Sequence, residues 1–171
     1  NKDLSVVAEK LGSDCPFFLH DGIGHAIGRG DKVRIISGTE QNEINGQRIF
    51  LFQPPIGFST PLIYKALADN GSYSDPCWAK KVVQEWEAGE RSVSDFCHND
   101  FESVLLSKYL FLKPIFEELR DCFGLSFQVS GSGSSCFCLV SESVDEKPVR
   151  DLISRSLGLE AGFWVSRIRL N

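Results

Sequence analysis

The chain has 171 residues, of which 42% are hydrophobic and 24% charged, and its formal net charge is −5. That is ordinary globular composition, long enough for one core or for one domain plus part of another. The acidic balance argues against a protein that tracks a nucleic-acid backbone. No run approaches the roughly 18 apolar residues of a membrane span and no signal peptide opens the chain, so the cytoplasm is the simplest compartment.

Leu4, Val7, Ala8 and Leu11 recur at helical spacing, and Gly12 stands where a helix would end. The sequence holds no methionine and begins inside this helix, which reads as a fragment of a longer protein or a processed piece of one. "GSDCPFFL" follows as a loop in which Asp14 sits between a Gly-Ser break and the run Pro16-Phe17-Phe18. In "GHAIGRGDKVRIIS" two short strands flank a Gly28-to-Asp31 turn, and a polar interval, "GTEQNEING", leads on. "RIFLFQ" carries four apolar residues in a row, as in a strand buried on both faces, and Pro54-Pro55 ends it.

"STPLIYKALADNG" predicts a helix capped by Ser59 or Thr60, with Pro61 in its first turn and Gly71 beyond its end. Residues 77–88 form a second helix with Trp78, Val82 and Trp86 on one side. "HNDFESVLLSKY" carries a capping box, Asn99 as cap and Glu102 three residues on. Pro114 opens another helix whose apolar face is Ile115, Phe116, Leu119, Cys122 and Phe123, closed by Gly124. "LSFQVS" and "CFCLVS" are strands around "GSGSS", "KPVRDLISRSLG" is a helix facing inward through Val149, Leu152, Ile153 and Leu157, and "FWVSRIRL" closes as a strand. The resulting order, strand, helices, strand, strand, helix, strand, fits an α+β ferredoxin-like layer of sheet and helices.

Six cysteines, Cys15, Cys77, Cys97, Cys122, Cys136 and Cys138, are scattered without a C-x-x-C pair, and His20, His25 and His98 lack the spacing of a zinc helix. Free thiols and no metal site are the reading. Three stretches could carry chemistry. Asp14 could brace its own loop or, beside an apolar surround with a cation to hold it ionised, accept a proton. "VSGSGSSCFCLV" is a plain hairpin or a loop whose bare backbone, Gly131 to Ser134, forms an anion nest. Tyr64 is a core residue or an exposed face on which a base stacks. The P-loop, the dinucleotide fingerprint and the nucleophile elbow all fail, because Cys136 stands where the fingerprint needs its third glycine and Gly133 where the elbow needs its serine.

Taken in order, "LGSDCPFFL", "GHAIGRGDKV", "QPPIGFSTPLIYKAL", "HNDFE" and "VSGSGSSCFCLV" resemble the diphosphocytidyl-methylerythritol (CDP-ME) kinase family of the GHMP small-molecule kinases, over nearly the whole chain. The resemblance implies a two-layer α/β sandwich of GHMP-kinase type. Residues 1–47 would be the remainder of an ATP-binding domain and 48–171 a ferredoxin-like carboxy-terminal domain. It implies ATP and Mg²⁺ as cofactors and transfer of the γ-phosphoryl group to a cytidine-diphosphate-linked methylerythritol, in non-mevalonate isoprenoid synthesis. By position Asp14 matches the catalytic acid, Thr60, Pro61 and Tyr64 the cytidine side of the substrate, and Gly131, Ser132, Gly133 and Ser134 the loop near the phosphates. His98 or Asn99 would be structural, the Asn-Asp start resembling a helix cap. The family's Gly-rich ATP loop and the lysine that partners its aspartate are absent from this sequence, so the chain would need the other half of its parent to act. The alternatives are a related kinase for a mevalonate-pathway or sugar alcohol, and a non-catalytic ferredoxin-like binding module.

Overall fold

A computed structural model describes residues 2–36, 44–71, 73–90 and 97–169. Much of the polar interval at 38–46 therefore lies outside the described residues. The chain divides into two compact units: Asn1–Gly46, Cys77–Val93 and Arg169–Asn171 form one, and Gln47–Pro76 with Ser94–Ile168 the other.

In the first unit the predicted opening helix is α1, Lys2–Leu11, ended by a bond from the Gly12 amide to the Ala8 carbonyl. The expected Asp14 loop is instead a short 3₁₀ helix, Cys15–Leu19, with Pro16 in its first turn, where a missing N–H costs nothing. Strands β1, Gly24–Ile27, and β2, Lys32–Ile35, pair antiparallel, His25 opposite Arg34. Their turn uses Gly28 and Gly30 at φ 72 and 93, and the Asp31 carboxylate accepts the Arg29 amide. Helix α3, Pro76–Glu87, lies between two helices of the second unit in sequence but belongs to the first. Val82 and Trp86 are buried as their spacing predicts, together with Ala8 and Ile36, while Trp78 is half-buried. Arg34 Nη1 donates to Glu87 Oε1 at 2.7 Å on the surface of this unit.

The second unit is built on a four-stranded antiparallel sheet ordered β4-β5-β3-β6, with β3 Arg48–Gln53, β4 Gln128–Val129, β5 Cys136–Val140 and β6 Gly162–Arg167. Numbered by chain order within the sheet this is 4-1-3-2, the ferredoxin-like arrangement expected from the order of elements. Its helices are α2, Thr60–Asn70, α4, Phe101–Lys108, α5, Leu112–Phe123, and α6, Glu146–Leu157. Helix α2 starts at the Ser59 cap and stops at Gly71, whose φ of 63 gives the left-handed turn that only glycine adopts cheaply. Helix α6 is capped by Asp145, which accepts the Lys147 amide at 3.0 Å.

The core lies between one sheet face and these helices. Phe50 and Phe52 of β3 and Cys136, Cys138 and Val140 of β5 point inward at the strand period, against Ile63, Leu105, Leu119 and Val149 among others. Truncating either phenylalanine would cost on the order of 3–5 kcal/mol. Strand β3 is not buried on both faces as its apolar run suggested, because the helices cover only one side; Ile49 and Leu51 on the other are half-buried. On that second face Leu51 aligns with Phe137 and with Trp164. Two further expectations shift. Helix α5 begins at Leu112, two residues before Pro114, and Cys122 faces solvent rather than the core. The strand expected over 125–130 narrows to β4, although Leu125 and Phe127 stay buried.

Candidate active site

Asp14 caps the 3₁₀ helix by position, with φ −89 and ψ −11, but its side chain makes no capping bond. Its carboxylate lies exposed against the β1–β2 turn. A Cβ added at Gly30 would come 2.6 Å from Asp14 Oδ1, so the bare glycine is what leaves the carboxylate its place. Ser13 Oγ donates to the same oxygen at 3.4 Å. The dry phenylalanine wall expected beside it does not form within the described residues. The helical turn sends Phe17 inward against Gly24, while Phe18 stays 79% exposed, edge-on to Phe17 at 5.4 Å.

The other candidate residues come together in the second unit. The Gly-Ser loop from Ser130 to Ser135 is closed by two backbone bonds, Ser130 N to Ser135 O at 2.8 Å and Gly133 N to Ser130 O at 2.9 Å. Gly131 and Gly133 both sit at positive φ, 54 and 82. Their surroundings differ. A Cβ at Gly131 would meet nothing within 4 Å, whereas one at Gly133 would fall 2.8 Å from Phe58 Cε2 and closer still to Cδ2. The approach that the missing side chain permits at 133 is therefore made by the protein's own Phe58, itself stacked on Tyr109 at 3.7 Å and 7°. The open side at Gly131 leaves the backbone accessible to a ligand, which fits phosphate oxygens that seek bare amides.

Two side chains strap this loop. Thr60 Oγ1, in the first turn of α2, lies 2.8 Å from Ser132 Oγ. Asn99 Nδ2 donates to the carbonyls of Val129 and Gly131, at 2.7 and 2.9 Å. Burial raises the half-buried Glu102 carboxyl above its usual range, and the Val129 backbone only partly offsets that. Ser134 is buried. Four residues after Thr60 on the same helical face, Tyr64 is 57% exposed, braced edge-on by Phe101 at 4.7 Å. It is not the core residue its apolar neighbours allowed. Pro61, also exposed, lies in the same first turn.

Asn99 corrects the capping-box reading. Helix α4 begins at Phe101, one residue later than expected, and the Asn99 Oδ1 accepts the Phe101 amide at 3.1 Å. His98 and Asp100 form a separate polar knot with Ser74: His98 Nε2 meets Ser74 Oγ at 2.8 Å and Asp100 Oδ1 at 2.9 Å, and the Ser74 amide donates to Asp100 Oδ2 at 3.1 Å. All six cysteines are free thiols. Among the described residues no cluster of three His, Cys, Asp or Glu side chains could hold a metal, and no helix is long and apolar enough to cross a membrane.

Residues 79–157 match the family model described as GHMP kinases C terminal. The chain is 26% identical over 152 residues to 4-diphosphocytidyl-2-C-methyl-D-erythritol kinase of Pseudothermotoga lettingae, covering 88% of this chain and 54% of that protein. It is 32% identical over 149 residues to the enzyme of that name from Lawsonia intracellularis, covering 81% and 48%. A crystal structure of 4-(cytidine 5'-diphospho)-2C-methyl-D-erythritol kinase superposes with a TM-score of 0.62 at 24% identity, over 95% of this chain and 55% of that one. The chain thus spans about half the length of the curated relatives it matches.

Proposed function

We propose, from a chain whose residues 79–157 match the family model described as GHMP kinases C terminal, that it is part of an ATP-dependent kinase for 4-diphosphocytidyl-2-C-methyl-D-erythritol, acting in non-mevalonate isoprenoid synthesis. The relatives' names support the reaction class. The observation that carries the substrate reading is the 2.8 Å contact of Thr60 with Ser132. It joins the Gly-Ser loop, read as the phosphate side, to the helix whose exposed Tyr64 is read as the cytidine side.

In this reading residues 1–47 contribute the end of the ATP-binding domain and Asp14 its acid. Asp14 takes or orients the proton of the acceptor hydroxyl as that oxygen bonds to the γ-phosphorus. The bond from phosphorus to the bridging oxygen breaks, and ADP leaves. The exposed Asp14 carboxylate is open to an incoming hydroxyl. Tyr64 offers its open face to the cytosine ring, with Thr60 and Pro61 beside it. Gly131, Ser132, Gly133 and Ser134 shape the wall near the phosphates. Mg²⁺ neutralises phosphate charge when bound; it commonly takes only one or two carboxylates and completes its shell with phosphate and water, so it needs no preformed cluster in this chain. The free thiols suit a reducing compartment such as the cytoplasm.

Phosphoryl transfer rests on positioning and charge stabilisation that the whole protein would supply. Assayed alone, the 171-residue chain is expected to release no ADP. In the whole protein, ADP release from Mg²⁺-ATP should require CDP-ME, respond to competing CMP, and fall roughly 100-fold or more in Asp14→Asn. Release with a different alcohol only, insensitive to CMP, would remove the substrate reading and leave the kinase. An undiminished Asp14→Asn rate would remove the role given to Asp14.

A further inference from the structure

Asn99 stands 30 residues before Val129 in the chain, yet its whole amide is committed to one place. Both Nδ2 hydrogens go to loop carbonyls, those of Val129 and Gly131, and Oδ1 takes the first amide of α4. A side-chain amide has two donors and one carbonyl to offer, and all are used.

The peptide unit converts those two bonds into a direction. In a planar trans peptide the C=O and the following N–H point opposite ways. Drawing the Val129 carbonyl toward Asn99 turns the Ser130 N–H away from it, where that amide meets the Ser135 carbonyl at 2.8 Å. Drawing the Gly131 carbonyl toward Asn99 likewise turns the Ser132 N–H away, on the residue whose hydroxyl reaches Thr60. Gly131 at φ 54, with open space beyond its Cα, has no side chain or packing of its own to choose between the two orientations of its peptide. The choice falls to Asn99.

We infer that Asn99 is a positioning residue: it holds the Gly131–Ser132 peptide so that the Ser132 amide is presented as a donor to an anionic oxygen, of the class carried by a nucleoside triphosphate. This rests on the reading of the loop as the phosphate side of a kinase. Asn99 would touch no substrate itself.

The informative variant is Asn99→Asp, nearly the same size, which keeps an oxygen for the Phe101 amide but sets a carboxylate against two carbonyls. In the 171-residue chain, amide hydrogen exchange resolved by residue should accelerate about tenfold or more at Ser130 and Gly133, the loop's two bonded amides, with β3 and β5 unchanged. In the whole protein, calorimetry should show ATP bound about tenfold more weakly, the loss of roughly one charge-assisted hydrogen bond. KM for ATP should rise and KM for the alcohol stay within about twofold, whereas a purely structural lesion would lower the amplitude of turnover and leave both KM values alone. If Asn99→Asp does not fold, Asn99→Ser removes both donors while keeping a capping oxygen. Unchanged exchange, or unchanged ATP affinity beside accelerated exchange, overturns the inference. Wild-type protein that binds ATP but shows no CDP-ME-dependent ADP release overturns the proposed reaction instead, and the two failures appear in different measurements.

Discussion

Gly133→Ala measures how tightly the Gly-Ser loop is locked. Two costs add at this position. An alanine at φ 82 lies in the left-handed region, at roughly 1–2 kcal/mol. Its Cβ would also fall 2.8 Å from Phe58 Cε2 and closer to Cδ2. Phe58 cannot swing clear without losing its stacking on Tyr109 at 3.7 Å, so overpacking adds about 1–3 kcal/mol. Gly131→Ala supplies the control, because at φ 54 it bears the conformational cost while its Cβ meets nothing within 4 Å. The difference between the two variants is the contact alone, roughly 1–3 kcal/mol. For a cooperative unit of about 100 residues that separates their thermal midpoints by at least about 4 °C. Urea unfolding followed by circular dichroism gives the free energies. Adding Phe58→Ala to Gly133→Ala should cost less than the sum of the single changes, because the new methyl then meets no ring. Equal stability of Gly131→Ala and Gly133→Ala, or strict additivity with Phe58→Ala, would refute the account of the loop as packed on one side and open on the other.

Asp145→Ala removes the cap that accepts the Lys147 amide and should lower stability by about 1 kcal/mol in the same urea assay, while Asp145→Ser should retain most of it. Thiol labelling of native protein followed by mass spectrometry should modify exposed Cys77 and Cys122 first. It should spare buried Cys136 and Cys138 until unfolding: burial pushes the Cys138 thiol up to about 11 and the Cys136 thiol further, leaving little thiolate at neutral pH. Burial alone would raise the Asp100 carboxyl, but hydrogen bonds from the Ser74 side chain and amide and from His98 outweigh it and hold the carboxyl below its ordinary value. The folded protein therefore binds that proton less readily than the unfolded chain. Its contribution is present above the unfolded value and lost as pH falls through the folded one. The urea-midpoint gap between wild type and Asp100→Asn should be full at pH 6 and shrink below about pH 4; a gap that does not change with pH would refute the paired-carboxylate reading.

The fold was legible where local pattern and burial agree. The glycine stops at Gly71 and Gly124, the heptad-like faces of α3 and α6, and the alternation in "CFCLV" each state their own structure, and the 4-1-3-2 sheet follows from the order of the pieces. Where it failed, a tertiary fact overrode a local one. The run in "RIFLFQ" cannot tell one covered sheet face from two, because half-buried Ile49 and Leu51 are as apolar as buried Phe50 and Phe52. Nor does helical spacing reveal that Cys122 faces solvent. The assignment of α3 to the first unit has no local signal, since its buried Val82 and Trp86 say only that some core receives them.

The candidate site divides along the same line. Thr60 and Tyr64 share a helical face by spacing alone, so their neighbourhood could be read from "STPLIY". The straps could not. Asn99 lies 30 residues from Val129, and Thr60 lies 72 from Ser132. An asparagine followed three residues later by glutamate is the pattern of a capping box. Its oxygen does serve α4, one residue off register, and that partial agreement conceals the amide's other work. The signal that would have separated the two lies in the choice of residue. A cap needs only an oxygen, which aspartate or serine supplies as well, whereas two loop carbonyls need the hydrogens that asparagine alone among the good caps can give. An asparagine at a capping position upstream of a glycine-rich loop is thus a reason to ask which carbonyls it holds.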